Sequence, residues 1–185
     1  VDQSNHARFD AVSRSYRYFV HTRKNPFLDN FSYFFPYILD IDKMNLAASY
    51  LIGEHDFTSM AKLHSNTRSN ICIVKDAFWS AGSPLSLPLM TEMAAENMSV
   101  SGQTKNKPAI NKSPVGTYCF TITANRFLRN MVRAVAGSLL EIGRGKEQPE
   151  WIAEVMKKRN RCAAGSSVPA HPLFLFSVEY PFMLE

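Results

Sequence analysis

The stretch that decides the fold reads Thr117-Tyr118-Cys119-Phe120-Thr121-Ile122-Thr123, then Ala124-Asn125-Arg126, then Phe127-Leu128-Arg129-Asn130-Met131-Val132-Arg133 and on through Gly137 to Gly143. Its first seven residues are rich in β-branched and aromatic side chains, which predicts a strand. Phe127, Leu128, Met131, Val132, Val135, Ala136, Leu139 and Leu140 then recur at helical spacing, predicting a helix from Phe127 that stops at Gly143.

Working outward, Ser15-Tyr16-Arg17-Tyr18-Phe19-Val20-His21 reads as a strand closed by a turn at Lys24-Asn25-Pro26, with Tyr16 and Tyr18 on one face. Asp40-Ile41-Asp42 offers a helix cap, and Met44, Ala47, Ala48 and Leu51 carry a helix as far as Gly53, followed by a loop at His55-Asp56-Phe57-Thr58-Ser59. Ile71 to Trp79 reads as another strand. Pro149 opens a helix bearing Trp151, Ile152, Val155 and Met156, and Leu173 to Tyr180 reads as a buried strand ended by Pro181. Ser80 to Pro114 is rich in proline and serine with little periodicity, which predicts a flexible insertion at about 81–114. Strands interleaved with helices and joined by long connections indicate an α+β fold, a mostly antiparallel sheet covered by helices on one side, with residues 1–185 forming one domain.

The formal net charge is +5 and the isoelectric point near 9.2, a balance that attracts polyanions such as nucleic acid or acidic membranes. No apolar run reaches membrane-spanning length and the amino terminus has no signal-peptide pattern, so the expectation is a cytoplasmic protein without a membrane partner. A chain that opens on Val1 is expected to be a processed protein or a domain cut from a longer one. Cys72, Cys119 and Cys162 are widely spaced and odd in number, which favours reduced thiols over disulfides.

The histidines and cysteines never fall into a metal-ligand spacing, so no structural or catalytic metal is expected. Cys119 lies in an apolar strand, where a packed thiol is the ordinary explanation and a hydrolase nucleophile the weaker one. Gly143-Arg144-Gly145-Lys146 lacks the length of a phosphate loop and follows a helix, which makes it a helix stop. Arg126, Arg129 and Arg133 are expected on or near the polar side of the long helix, as a solvated face or as phosphate contacts. Arg133, at the margin of the apolar stripe, needs a carboxylate partner. Tyr16, Tyr18 and Phe19 interleaved with Arg14 and Arg17 form the kind of aromatic and cationic mixture that stacks bases and neutralises phosphates.

Four strings, His6-Ala7-Arg8-Phe9, Arg14-Ser15-Tyr16-Arg17-Tyr18, Gly53-Glu54-His55-Asp56-Phe57-Thr58-Ser59 and Asn125 to Arg133, resemble in order and spacing the A-type tRNA pseudouridine synthase family. The likeness continues through Gly137, Gly143, Ala163-Ala164-Gly165, Pro169-Ala170 and the closing Tyr180-Pro181, so it covers nearly the whole chain. It implies isomerisation of uridine to pseudouridine in the tRNA anticodon stem-loop by a homodimer without cofactor. It also implies that an aspartate attacks the flipped nucleotide so that the base can reattach through carbon five. The motif bearing that aspartate is missing here. In the family it lies in an amino-terminal domain upstream of His6-Ala7-Arg8-Phe9, and Asp10, Asp56 and Asp76 are poor substitutes. The resemblance therefore implies a carboxy-terminal domain that is inactive alone.

By position, Tyr16 matches the family's active-site tyrosine, which packs on the uracil ring, and Arg133 matches the arginine that pairs with the catalytic aspartate. Arg8 and Asn125 match positions near the cleft; Arg14, Arg17, Arg126 and Arg129 are the further candidates for substrate contact. The chain departs from the family pattern at Ser80 to Pro114, at Arg68-Ser69-Asn70-Ile71 and at His171-Pro172. The alternative function is a non-catalytic basic α+β RNA-binding domain, which predicts steep salt dependence and no need of an upstream domain.

Overall fold

The computed structural model describes residues 6–62, 69–82 and 116–182, and the expected insertion beyond residue 82 lies outside the described residues. Among these, the strands are β1 (Ser13–His21), β2 (Tyr33–Phe34), β3 (Gly53–Asp56), β4 (Ile71–Ala81), β5 (Thr117–Ala124) and β6 (Leu173–Glu179). The helices are α1 (Ile41–Ser49), α2 (Met131–Gly143) and α3 (Trp151–Lys158). The sheet runs β2-β1-β5-β4-β3, with β6 also pairing with β1. β6 borders β1 at Ser13–Tyr18 and β2 borders it at Val20 and His21; only the short β1–β2 pairing is parallel. The mostly antiparallel α+β architecture expected from the sequence is the one found.

One face of the sheet holds the core. Tyr18 and Val20 of β1, Phe120, Ile122 and Ala124 of β5, and Cys72, Val74, Ala77 and Trp79 of β4 are buried against the helices. Val74 and Ala77 are three apart, so strict alternation would send one of them outward. A bulge between Val74 and Asp76 takes up the extra residue and returns Ala77 and Trp79 to the core. β3 reaches only Ile71 to Val74. Further along β4, the Asn45 side chain of α1 donates to the Trp79 carbonyl at 3.1 Å and accepts the Trp79 N–H at 2.6 Å, which satisfies that part of the strand's edge and pins α1 to it.

Asp40 caps α1 by accepting the Lys43 N–H at 3.1 Å, and its own N–H donates to the Gly143 carbonyl at the end of α2. α2 in turn lies almost in backbone contact with the segment Gly165–Val168. A Cβ on Gly137 would stand 1.9 Å from the Ser166 carbonyl oxygen, and one on Gly165 would stand 3.0 Å from the Ser138 Cα. The buried Ser138 hydroxyl donates to the Ala134 carbonyl at 2.9 Å and accepts the Gly165 N–H at 3.0 Å, joining the two backbones. Ser59, also buried, donates to the Val155 carbonyl at 2.6 Å and accepts the Asn160 N–H, holding the 3-10 turn Thr58–Met60 to the end of α3.

The structure corrects four local expectations. α1 ends at Ser49, and Gly53, with φ +105°, opens β3 where a helix stop and a loop were expected. The polar run Gly53 to Asp56 has no strand signature; its pairing with β4 is a tertiary effect. α2 starts at Met131, because Asn130 adopts the left-handed conformation with φ 71° and accepts the first helical bond, from the Ala134 N–H. Arg126 and Arg129 therefore precede the helix. β6 is an edge strand with Phe174, Leu175 and Phe176 between 37% and 54% exposed, because an apolar run alone does not say whether both sides are covered.

Gly137→Ala is expected to destabilise the fold by about 2 kcal/mol or more, because the obstacle is backbone. Gly143→Ala should cost less, since its added Cβ meets mainly the movable Met44 thioether. Urea midpoints compare the two. His21 gives a second expectation: it is 1% exposed, neither ring nitrogen has a hydrogen-bond partner among the described residues, and Nε2 lies 3.7 Å from the Asp29 carboxylate. Burial pushes its pKa down, and Asp29 only partly opposes this. The unfolded chain therefore binds the His21 proton more readily, so this contribution is full above the unfolded value of about 6.5 and is lost as pH falls below it. Denaturation at pH 7.5 and pH 5.5 should show lower stability at the acid value, and His21→Phe should reduce that difference.

Candidate functional site

A cleft of about 680 Å³ opens beside β1 and the start of α2, lined by Arg8, Tyr16, Lys62, the segment 127–133 and Leu173. Tyr16 and Tyr18 share the inward face of β1, but the fold separates their roles. Tyr18 is fully buried, donates its hydroxyl to the Pro169 carbonyl at 3.0 Å, and is kept neutral by burial, which pushes its phenol well above the ordinary range. Tyr16 is half-buried and sets its ring edge-on to Phe127, with centroids 5.0 Å apart and an interplanar angle of 89°. Among the described residues its hydroxyl has no hydrogen-bond partner. A bulge in the β1–β6 ladder falls between Ser15 and Tyr16, so β6 skips a residue where Tyr16 enters the cleft.

Arg133 stands in the first turn of α2 and donates Nε to the Val168 carbonyl at 2.7 Å. That carbonyl belongs to the segment already fixed by Gly137 and Ser138. Asn130 adds a second tie, donating Nδ2 to the Ser167 hydroxyl at 2.6 Å, and Arg161 braces the segment from behind through the Gly165 carbonyl and Ser167. The guanidinium is thus aimed by backbone, and among the described residues no carboxylate lies within ion-pair distance of it. The cleft lining contains four cations, Arg8, Lys62, Arg129 and Arg133, and no acid. The first turn of α2 carries no acid either, so the positive end of the helix adds to the same potential. The arrangement can hold an anion beside a flat apolar ring against Tyr16 and Phe127.

Of the residues singled out from the sequence, Arg8, Tyr16, Arg129 and Arg133 meet in this cleft. The others stand elsewhere. Arg14 donates to the carbonyls of Ala11, Asn125 and Arg8, tying the segment His6–Asp10 to the sheet. Arg17 points to the opposite face, its guanidinium 3.5 Å from the centroid of the Phe176 ring. The Asn125 side chain accepts the Ile73 N–H at 2.9 Å and continues the β4–β5 ladder. Arg126 lies near Cys72, whose thiol burial pushes up to about 11 despite that cation. Burial also raises the Cys119 thiol, which weighs against Cys119 as a hydrolase nucleophile. Lys62 and Leu173 line the cleft without having been singled out. Lys62 belongs to none of the four strings, and nothing local marks a lysine whose value comes from the chain folding it beside Arg129. Among the described residues no helix is long and apolar enough to cross a membrane.

A sequence profile described as tRNA pseudouridine synthase matches residues 47–181. The tRNA pseudouridine synthase A of Bacteroides thetaiotaomicron is 42% identical over 176 residues, an alignment covering 95% of this chain and 55% of that protein. The protein of the same name from Bacillus pumilus is 37% identical over 182 residues, covering 97% of this chain and 61% of its own length. The chain thus spans little more than half the length of the curated relatives it matches. With the profile match extending over most of its residues, the chain belongs to the tRNA pseudouridine synthase family.

Proposed function

We propose that this chain forms one wall of the active site of a tRNA pseudouridine synthase acting on uridines of the anticodon stem-loop. The observation that carries this reading is the meeting of Tyr16 and Arg133 in one cationic cleft that, among the described residues, contains no carboxylate. Tyr16, backed by Phe127, offers the ring against which an extruded uracil stacks. Arg133, fixed at Nε by Val168, leaves the rest of its guanidinium to grip a carboxylate by charge and hydrogen bonding. That carboxylate is the nucleophilic aspartate, supplied from a domain upstream of this one. An arginine beside it keeps it ionised and oriented, so that it attacks the nucleotide, the glycosidic bond breaks, the base reattaches through carbon five as the aspartate is released, and the carbon-five proton is lost. The 185-residue chain is then a carboxy-terminal domain, inactive alone. The full-length enzyme is a cytoplasmic homodimer whose partner is tRNA.

Tritium release from carbon-five-labelled uridine in unmodified tRNA tests this. Release is expected from the chain joined to an upstream domain bearing the aspartate and not from the chain alone. Arg133→Ala in the joined protein should lower turnover by at least about a hundredfold, the scale on which a single preorganised electrostatic contact acts. Release from the chain alone would refute the divided site. Salt-dependent tRNA binding with no release from either protein would favour a non-catalytic RNA-binding domain.

A further inference from the structure

The proposed chemistry gives Arg133 a role, but leaves the cleft's other three cations, Arg8, Lys62 and Arg129, without one, and two of these are joined through their backbones. Lys62 and Arg129 both line the cleft and both are exposed. Neither has a carboxylate within ion-pair distance among the described residues. They come from parts of the chain far apart in sequence, yet the Lys62 N–H donates to the Arg129 carbonyl at 2.9 Å, so the two backbones are in direct contact. Each side of that contact is held. Lys62 follows the turn Thr58–Met60, which Ser59 locks to α3, and Arg129 precedes Asn130, whose left-handed backbone and bond to Ser167 fix the entry to α2.

Two neighbouring cations repel one another unless an anion lies between them, and no described acid does so. At the far end of α2 the same problem is solved internally, with Glu141 accepting from Arg144 at 2.6 Å and from Lys146 at 3.1 Å. We propose that Lys62 and Arg129 form a two-point clamp for a backbone phosphate of the RNA, next to the nucleotide whose base enters against Tyr16. A phosphodiester suits the pair: arginine contributes a planar fork of donors and lysine a point charge that adjusts around it. The contact carries no base information, so it sets the register of the strand on the cleft and leaves the choice of base to the interior. This inference rests on the reading of the cleft as an RNA site.

The test is the affinity of the 185-residue chain for fluorescently labelled unmodified tRNA, measured as a function of KCl. Each phosphate contact removed lowers the slope of log affinity against log salt by about one. Lys62→Gln and Arg129→Gln should each show that loss, with roughly five- to tenfold weaker binding at about 0.1 M salt. Lys62→Arg should restore the slope, a rescue that a purely structural lysine would not show, and Lys157→Gln, outside the cleft on α3, should change neither quantity. If the unaltered chain binds and either glutamine variant retains the full slope, the two-point clamp is overturned while the RNA reading stands. If the unaltered chain shows no salt-dependent tRNA binding, the clamp and the RNA reading both fail.

Discussion

The site depends on the near-contact of two stretches of backbone, α2 at Gly137 and the segment Gly165–Val168. Close approach removes the room in which either could shift, and the fully buried Ser138 joins them with two hydrogen bonds. What the segment offers the rest of the molecule follows from this. Val168 receives Arg133, Ser167 receives Asn130, and the adjoining Pro169 carbonyl receives the buried phenol of Tyr18. Two of the cleft's side chains, Arg133 and Asn130, are therefore referred to one short stretch of main chain, and the helix that carries Arg133 is held at its middle as well as its start.

Electrostatics distinguishes the two ends of that helix. At the carboxyl end, burial pushes Glu141 upward, but hydrogen bonds and charge from Arg144 and Lys146 outweigh it and hold the carboxyl below its usual range. Positive and negative charge are balanced there within the chain. At the amino end the helix presents its positive pole and Arg133, beside the cations Arg8, Lys62 and Arg129 from other parts of the chain, to a concave surface with no described acid in its lining. Charge left uncompensated in a folded domain is compensated by what binds, and a carboxylate and a phosphate are the two anions that the proposed reaction brings to this place.

Much of this was legible in the sequence, for identifiable reasons. The strands β1, β4 and β5 and the body of α2 announce themselves because their periodicity is that of a half-buried surface. Tyr16 and Arg133 were legible as a pair only through family resemblance; the alternation in β1 groups Tyr16 with Tyr18 and cannot say which one is reached by solvent. The start of α2 was misread because Phe127 and Leu128 fit the helical spacing by coincidence, while the signal that excludes them is a left-handed Asn130. β3 was invisible because its pairing is conferred by β4. The separation of Arg14 and Arg17 from the cleft also needed coordinates, since a cation that ties down carbonyls or stacks on a phenyl ring has the same sequence as one that meets phosphate.

The Asn45 amide has a consequence beyond fastening a helix. By meeting both the N–H and the carbonyl of Trp79, it occupies the groups that an incoming strand would use, and β3 beside it is short and polar. Among the described residues, that border offers little to an added strand. The opposite border ends in β6, seven residues long, with aromatic side chains in solvent. Among the described residues the two borders are therefore unequal: strand addition is disfavoured beside Asn45 and β3 and has its longer template at β6, so edge-to-edge adhesion through β6 joins copies in pairs, whereas growth into fibrils needs two open edges per molecule.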